Sequence, residues 1–318
     1  MTSKAVLALL LALLTHGAFG EDKPTPQTLL DAAHKMADLS TLGPYILTGT
    51  LVVNPGTKKE LTGSLAVYRD RDRARVDVQI SGRNETRITI GNKDYVDPDR
   101  ILFSGWWLNE PDRLWDPKRP GKGVRHSQDK WENVSRHKIG DTTAWCMEKG
   151  HDPDKQRLCV DAVRDVVLTS GSDQFSDYMQ SGRVMFPQKI RITGHYEAPI
   201  EIRDIKISPY AVESALFEIP SKTMELESCE NGEQLQAVDA TLPPRTETAL
   251  TTTSARIALY AFIDKQGQVA ALKMLGLIQP SYDAEVINAV KKWRFKPATC
   301  NGQPVNTAMI IEVAGRSF

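Results

Sequence analysis

The sequence predicts an α+β fold in two parts, and three observations carry that prediction. Between residues 45 and 208, short β-rich runs alternate apolar and polar residues, as at Val76, Val78 and Ile80, or at Ile200, Ile202, Ile205 and Ile207. That period suits antiparallel strands with one face on a core and the other in water. A helical stripe precedes the runs. From residue 255 onward the pattern becomes strand, strand, helix, strand.

Composition bounds the partners. The chain has 318 residues, 41% hydrophobic and 25% charged, ordinary values for a globular protein. Its 40 basic and 40 acidic residues cancel, so charge gives no reason to expect nucleic acid or an anionic membrane surface as the main partner. The local cluster Arg69, Arg71, Arg73 and Arg75 is interrupted by aspartates and reads as a solvated strand face.

The elements follow in order. Lys4, the apolar run AVLALLLALL and the small residues Ala18 and Gly20 form the three-part pattern of a cleavable secretory signal over residues 1–20. The run falls short of the roughly 20 apolar residues a bilayer span needs, and no later segment is apolar enough, so the mature protein is expected to be soluble and exported. TPQTLLDAAHKMADLSTL places Leu29, Leu30, Ala33, Met36 and Ala37 near one helical face, ended by Gly43-Pro44. The strand-rich region, residues 21–220 with its leading helix, is interrupted by GWWLNEPDRLW. Residues 221–254 are polar, rich in Thr and Glu, and read as a linker. Residues 255–318 hold a hairpin turning at Gly267, then a helix with Tyr282, Val286, Ala289, Val290 and Trp293 at helical spacing, then WRFKPA, an Asn301-Gly302 turn and a final strand.

Cys146, Cys159, Cys229 and Cys300 are an even set in a chain addressed to an oxidising compartment. The first two flank a polar loop between strand-like runs, which favours Cys146–Cys159 and Cys229–Cys300 over the two other pairings. The spacings are not those of a zinc site. GHDPDK at 150–155 reads as a turn. There is no Gly-x-Ser-x-Gly, His-Glu-x-x-His or phosphate-binding glycine loop, so neither an enzyme nor a cofactor is expected.

The stretch carrying Gly267, Val269, AEVINAVKKWRFKPA, Asn301-Gly302 and Pro304-Val305 resembles the TonB C-terminal domain. The resemblance implies that Trp293 and Phe295 plug the helix against the sheet. It also implies that an edge strand, here Met309, Ile310, Ile311, Glu312 and Val313, docks an outer-membrane transporter or another envelope protein by strand addition. The chain departs from TonB proper: a cleaved signal replaces its anchoring helix. The linker, lightly proline-bearing, would reach about 100 Å at most. Transmission of pulling force is therefore not expected.

The succession FSDYMQSGRVMFPQKIRI, IEIRDIKIS and LFEIPS, behind an opening helix, is similar to the periplasmic lipoprotein-carrier family typified by LolA. That resemblance implies an unclosed half-barrel with a helix covering an apolar mouth. Trp106, Trp107 and Trp115 would line a cavity for a lipid, or else serve as core aromatics. The expected function is thus a periplasmic adaptor that docks through its TonB-like end. The alternative is a lipid or lipoprotein carrier.

Overall fold

The computed structural model describes residues 23–103, 107–108, 110–118, 130–150, 155–193, 198–210, 213–227, 236–239, 256–274 and 280–314. Helix α1 (Pro26–Ala37) starts where Thr25 accepts the Thr28 backbone N–H, with Pro26 in the first turn. Both features favour a helix start, the hydroxyl by satisfying an orphan donor and proline by its fixed φ. Its apolar stripe buries Leu29, Ala33 and Ala37.

The strands that follow are β1 (Tyr45–Val53), β2 (Leu61–Asp70), β3 (Arg73–Ile80), β4 (Arg83–Ile90), β5 (Lys93–Val96), β6 (Glu132–Ile139) and β7 (Thr142–Lys149). Next come β8 (Gln156–Asp161), β9 (Val167–Ser170), β10 (Asp173–Ser181), β11 (Val184–Ile192), β12 (Ile200–Pro209) and β13 (Met224–Glu227). They make one 13-stranded antiparallel sheet in the order β13-β5-β4-β3-β2-β1-β12-β11-β10-β9-β8-β7-β6. Most neighbours are consecutive hairpins. The return pairings are β12 on β1 and β13 on β5.

Alternation decides which face is buried. Residues opposite one another across strands share a face, and Leu47, Val67, Val76, Arg87, Val96 and Met224 stand in one such row. This is the inner face: Leu47, Val67 and Val76 form one core with Leu29, Ala33 and Ala37 of α1. Cys146 and Cys159 sit directly opposite each other on β7 and β8 and form a disulfide.

The remaining elements are β14 (Gln236–Asp239), β15 (Arg256–Ile263), β16 (Val269–Met274), α2 (Pro280–Val290), β17 (Arg294–Lys296), β18 (Thr299–Cys300), β19 (Gln303–Pro304) and β20 (Thr307–Ala314). A three-stranded sheet has the order β16-β15-β20. The expected Asn-Gly turn joins β18 to β19, with Asn301 at φ 51° and Gly302 at φ 77°, the left-handed conformations such hairpin turns require. The architecture is α+β, as the sequence predicts. The segment read as a linker contributes two strands: β13 extends the large sheet, and β14 pairs with β17.

Candidate docking site

The C-terminal module is held by one close approach. Gly267 has φ +76°, and a Cβ there would lie 1.8 Å from the Phe295 carbonyl oxygen. That leaves room for glycine alone, and the Phe295 N–H donates to the Gly267 carbonyl at 2.9 Å. The turn thereby pins the hairpin to the strand carrying Phe295, which is buried with Val286 and Val290 of α2.

Both faces of the three-stranded sheet are covered. Leu259, Ala261, Ile263 and Ile311 point to the α2 side and pack with Val286 and Val290. On the opposite face Tyr260 and Phe262 are buried against Val96 and Ile101, with Met224, Leu226, Ala308 and Ile310 packed around them. Since Val96 and Met224 belong to the inner row, the module lies on the inner face at its β4–β5–β13 end. Lys273 stands 5.7 Å over the Phe103 ring, and Phe103 meets Trp107 edge-on at 5.3 Å.

That end of the inner face is polar. Glu85, Arg87, Thr89 and Asp94 are all buried. Arg87 donates to Glu85 at 2.6 Å and to the Phe103 carbonyl at 3.2 Å, and Glu85 accepts the Leu102 N–H at 2.7 Å. Thr89 donates to Asp94 at 2.7 Å. Burial first, and then Glu85, push the Tyr260 hydroxyl upward in pKa, against the opposing pull of the adjacent Arg87.

What remains open is an edge. Strand β20 pairs with β15 along its whole length, from Thr307 opposite Ile263 to Ala314 opposite Arg256. Among the described residues no strand pairs with its other side. The expected docking residues lie on it: Met309 and Ile310 are half-buried, Ile311 is buried, and Glu312 and Val313 continue the strand. Just before it, Asn306 is tied to β13: its carbonyl accepts the Glu227 N–H at 3.1 Å, and its amide donates to the Glu225 carbonyl at 2.9 Å.

The middle of the inner face is filled. Trp107 and Trp115 are each 1% exposed and Leu108 is 0% exposed, all within the core beneath α1. Trp106 lies outside the described residues. The GWWLNEPDRLW segment is anchored by a buried ion pair. Arg69 donates to both carboxylate oxygens of Asp112, at 2.9 and 2.6 Å, and the Tyr45 hydroxyl donates to it at 2.5 Å. Burial alone would raise the Asp112 carboxyl, but Arg69 and these hydrogen bonds outweigh it and hold it below its ordinary value. Arg69 is therefore not part of a solvated face, as its run of neighbours suggests; it is 6% exposed. A cavity of about 180 Å³ lies beside this network, between Leu39, Pro44, Arg71 and Arg113. It is close in size to a void that holds one benzene, about 150 Å³, and too small for an acyl chain.

Cys300 is buried and not a free thiol, while Cys229 lies outside the described residues. No group of three or more metal-ligating side chains occurs among the described residues, and residues 151–154 of the GHDPDK turn fall outside them. Among the described residues no helix is long and apolar enough to cross a membrane. The Arg69–Asp112 and Glu85–Arg87 pairs escaped sequence reasoning, since Asp112 lies 43 residues from Arg69 and Glu85 and Arg87 occupy positions that alternate like any exposed strand face.

Residues 251–314 match the family model for the Gram-negative bacterial TonB protein C-terminal. The match covers the module built on Gly267 and β20. No curated protein matches the chain. Among solved structures, it is similar to a LolA superfamily protein from Nitrosomonas europaea, at 13% identity, covering 61% of this chain and 98% of that one with a TM-score of 0.40. A putative outer membrane lipoprotein-sorting protein domain from Vibrio parahaemolyticus matches at 13% identity, 61% and 97% coverage and a TM-score of 0.39. A DUF1329 family protein from Desulfovibrio piger matches at 13% identity, 60% and 96% coverage and a TM-score of 0.40.

Proposed function

We propose that this chain is a periplasmic docking protein without catalysis, whose C-terminal module accepts an extended segment of an envelope partner, such as an outer-membrane transporter, along β20. The observation that carries the reading is the contrast within the module. Its sheet has α2 on one face and the large sheet on the other, while the outer side of β20 pairs with nothing among the described residues. Main-chain groups along such an edge supply affinity for any extended segment, and alternate side chains supply choice. The carrier reading needs space on the inner face, and that space holds Trp107, Leu108 and Trp115.

A photoreactive methionine analogue at Met309, with a second photoreactive residue at Ala284 on α2 as control, tests this in cells. The expected result is capture of an envelope protein from Met309 and not from Ala284. Capture from neither position, or equally from both, removes the docking reading. Native mass spectrometry of protein from a detergent-free periplasmic extract tests the alternative, and a co-purifying lipid mass would favour the carrier.

A further inference from the structure

Two sheet edges end side by side, and one residue treats them differently. In an antiparallel strand, alternate residues turn both backbone groups to the same side. On β13, Met224 and Leu226 share the inner face with Val96 and Asp94, and the groups engaged away from β5 are the Glu225 carbonyl and the Glu227 N–H. Asn306 satisfies both of them, the first with its side-chain amide and the second with its own carbonyl. It therefore stands in for one residue of a neighbouring strand. Its side-chain oxygen, Oδ1, accepts the Lys265 N–H at 3.0 Å, which fixes the side chain from the hairpin side. Strand β13 is only four residues long, and Asn306 occupies one outward group on each of its two outward-facing residues, Glu225 and Glu227. From Thr307 onward the chain turns into β20, and there the outer side stays open among the described residues.

We infer that Asn306 is a specificity-determining residue: it closes the terminal edge of the large sheet to strand addition and marks the point on β20 at which an incoming extended segment must stop. This rests on the docking reading proposed above. The partner is an extended protein segment that pairs with β20 beyond Thr307 and ends against Asn306. An unpaired strand edge is a template for any other extended chain, so a docking protein with two adjacent open edges would accept segments at either one. Closing β13 confines the choice to the edge whose side chains, Met309 and Ile311 on one face and Ala308 and Ile310 on the other, can discriminate.

The test is Asn306→Ala in the full-length mature protein, read by residue-resolved hydrogen exchange and by capture. The Lys265 amide loses its acceptor, the Asn306 side-chain oxygen, and should exchange roughly tenfold faster, as expected for the loss of one hydrogen bond, while the β15–β20 amides keep their protection. A photoreactive residue at Glu225 should capture nothing in the parent protein. In the Asn306→Ala protein it should capture the partner, or a second copy of this chain. Asn306→Asp keeps the acceptor for Lys265 and loses the donor to Glu225, and should open β13 in the same way if the alanine variant fails to fold. If Glu225 captures equally in parent and variants, Asn306 does not close the edge. If Met309 captures nothing in the parent protein, it is the docking reading that fails, whatever Glu225 shows.

Discussion

Beneath α1 the inner face of the large sheet presents Leu47, Val67 and Val76; beneath the C-terminal module the same rows continue into Glu85, Arg87, Thr89 and Asp94. The two covers are made in different ways. The first is largely apolar, with Trp107 and Trp115 supplying bulk, and burial of this kind is non-directional. The second carries Glu85 and Arg87 in the interface, and groups such as these must find partners at set distances and angles or cost several kcal/mol. Apolar burial gives the N-terminal part its stability. The polar strip contributes little net stability; its Glu85–Arg87 pair is completed within the large-sheet part by the Phe103 carbonyl, and Arg87 meets the module at the Tyr260 hydroxyl. The start of β20 is set beside β13 by Asn306, which bonds Glu225 and Glu227.

The largest expected effect breaks the first cover. Trp107→Ala should cost about 3–5 kcal/mol, measured by denaturant unfolding of the N-terminal part, because the residue is 1% exposed and its site is enclosed by α1 and the sheet. If the loss is under about 1 kcal/mol, the inner face can collapse around the void, and the description of a packed middle is wrong.

Arg69→Ala should approach the same size, about 3–5 kcal/mol, since it leaves the Asp112 carboxylate buried without its cation. This variant also has a pH signature. The Asp112 carboxyl is depressed in the folded state, so its contribution is full above the unfolded value of about 3.9 and disappears as pH falls through the lower folded value. The stability gap between parent and Arg69→Ala should therefore be widest near neutrality and narrow below about pH 4. A gap constant from neutral to acid pH would assign the loss to packing.

The smallest effect sharpens the second cover. Tyr260→Phe removes only the hydroxyl beside Arg87 and should weaken docking of the module by about 1 kcal/mol, seen as faster hydrogen exchange at residues 224–227 with no change around Trp107. An equal acceleration at both places would mean that the two covers open as one.

Much of this was legible in the chain. The alternation at Val76–Ile80 and at Ile200–Ile207 places strands, the stripe Leu29–Ala33–Ala37 places α1, and the spacing from Gly267 through WRFKPA to Asn301-Gly302 places the C-terminal module together with its edge strand. These are local patterns, repeated every two or every three to four residues, and strand or helix geometry translates them directly. The docking edge was legible only through resemblance: nothing in MIIEV distinguishes an open strand from a paired one.

The rest depends on encounters between distant parts of the chain. A strand with Glu85, Arg87 and Thr89 at alternate positions reads as wet on that side, and it becomes dry only because Tyr260 and Phe262 arrive from the other end of the sequence. Met224–Glu227 reads as linker, since four residues of mixed character carry no period, and β5 makes it a strand by offering a free edge. Arg69 reads as one cation in a charged run until Asp112 comes down on it. Periodicity records which side of an element a residue occupies, and it is written in neighbouring residues. What covers that side is settled by chain topology, and burial, ion pairing and the pairing of β20 with β15 alone among the described strands all follow from it.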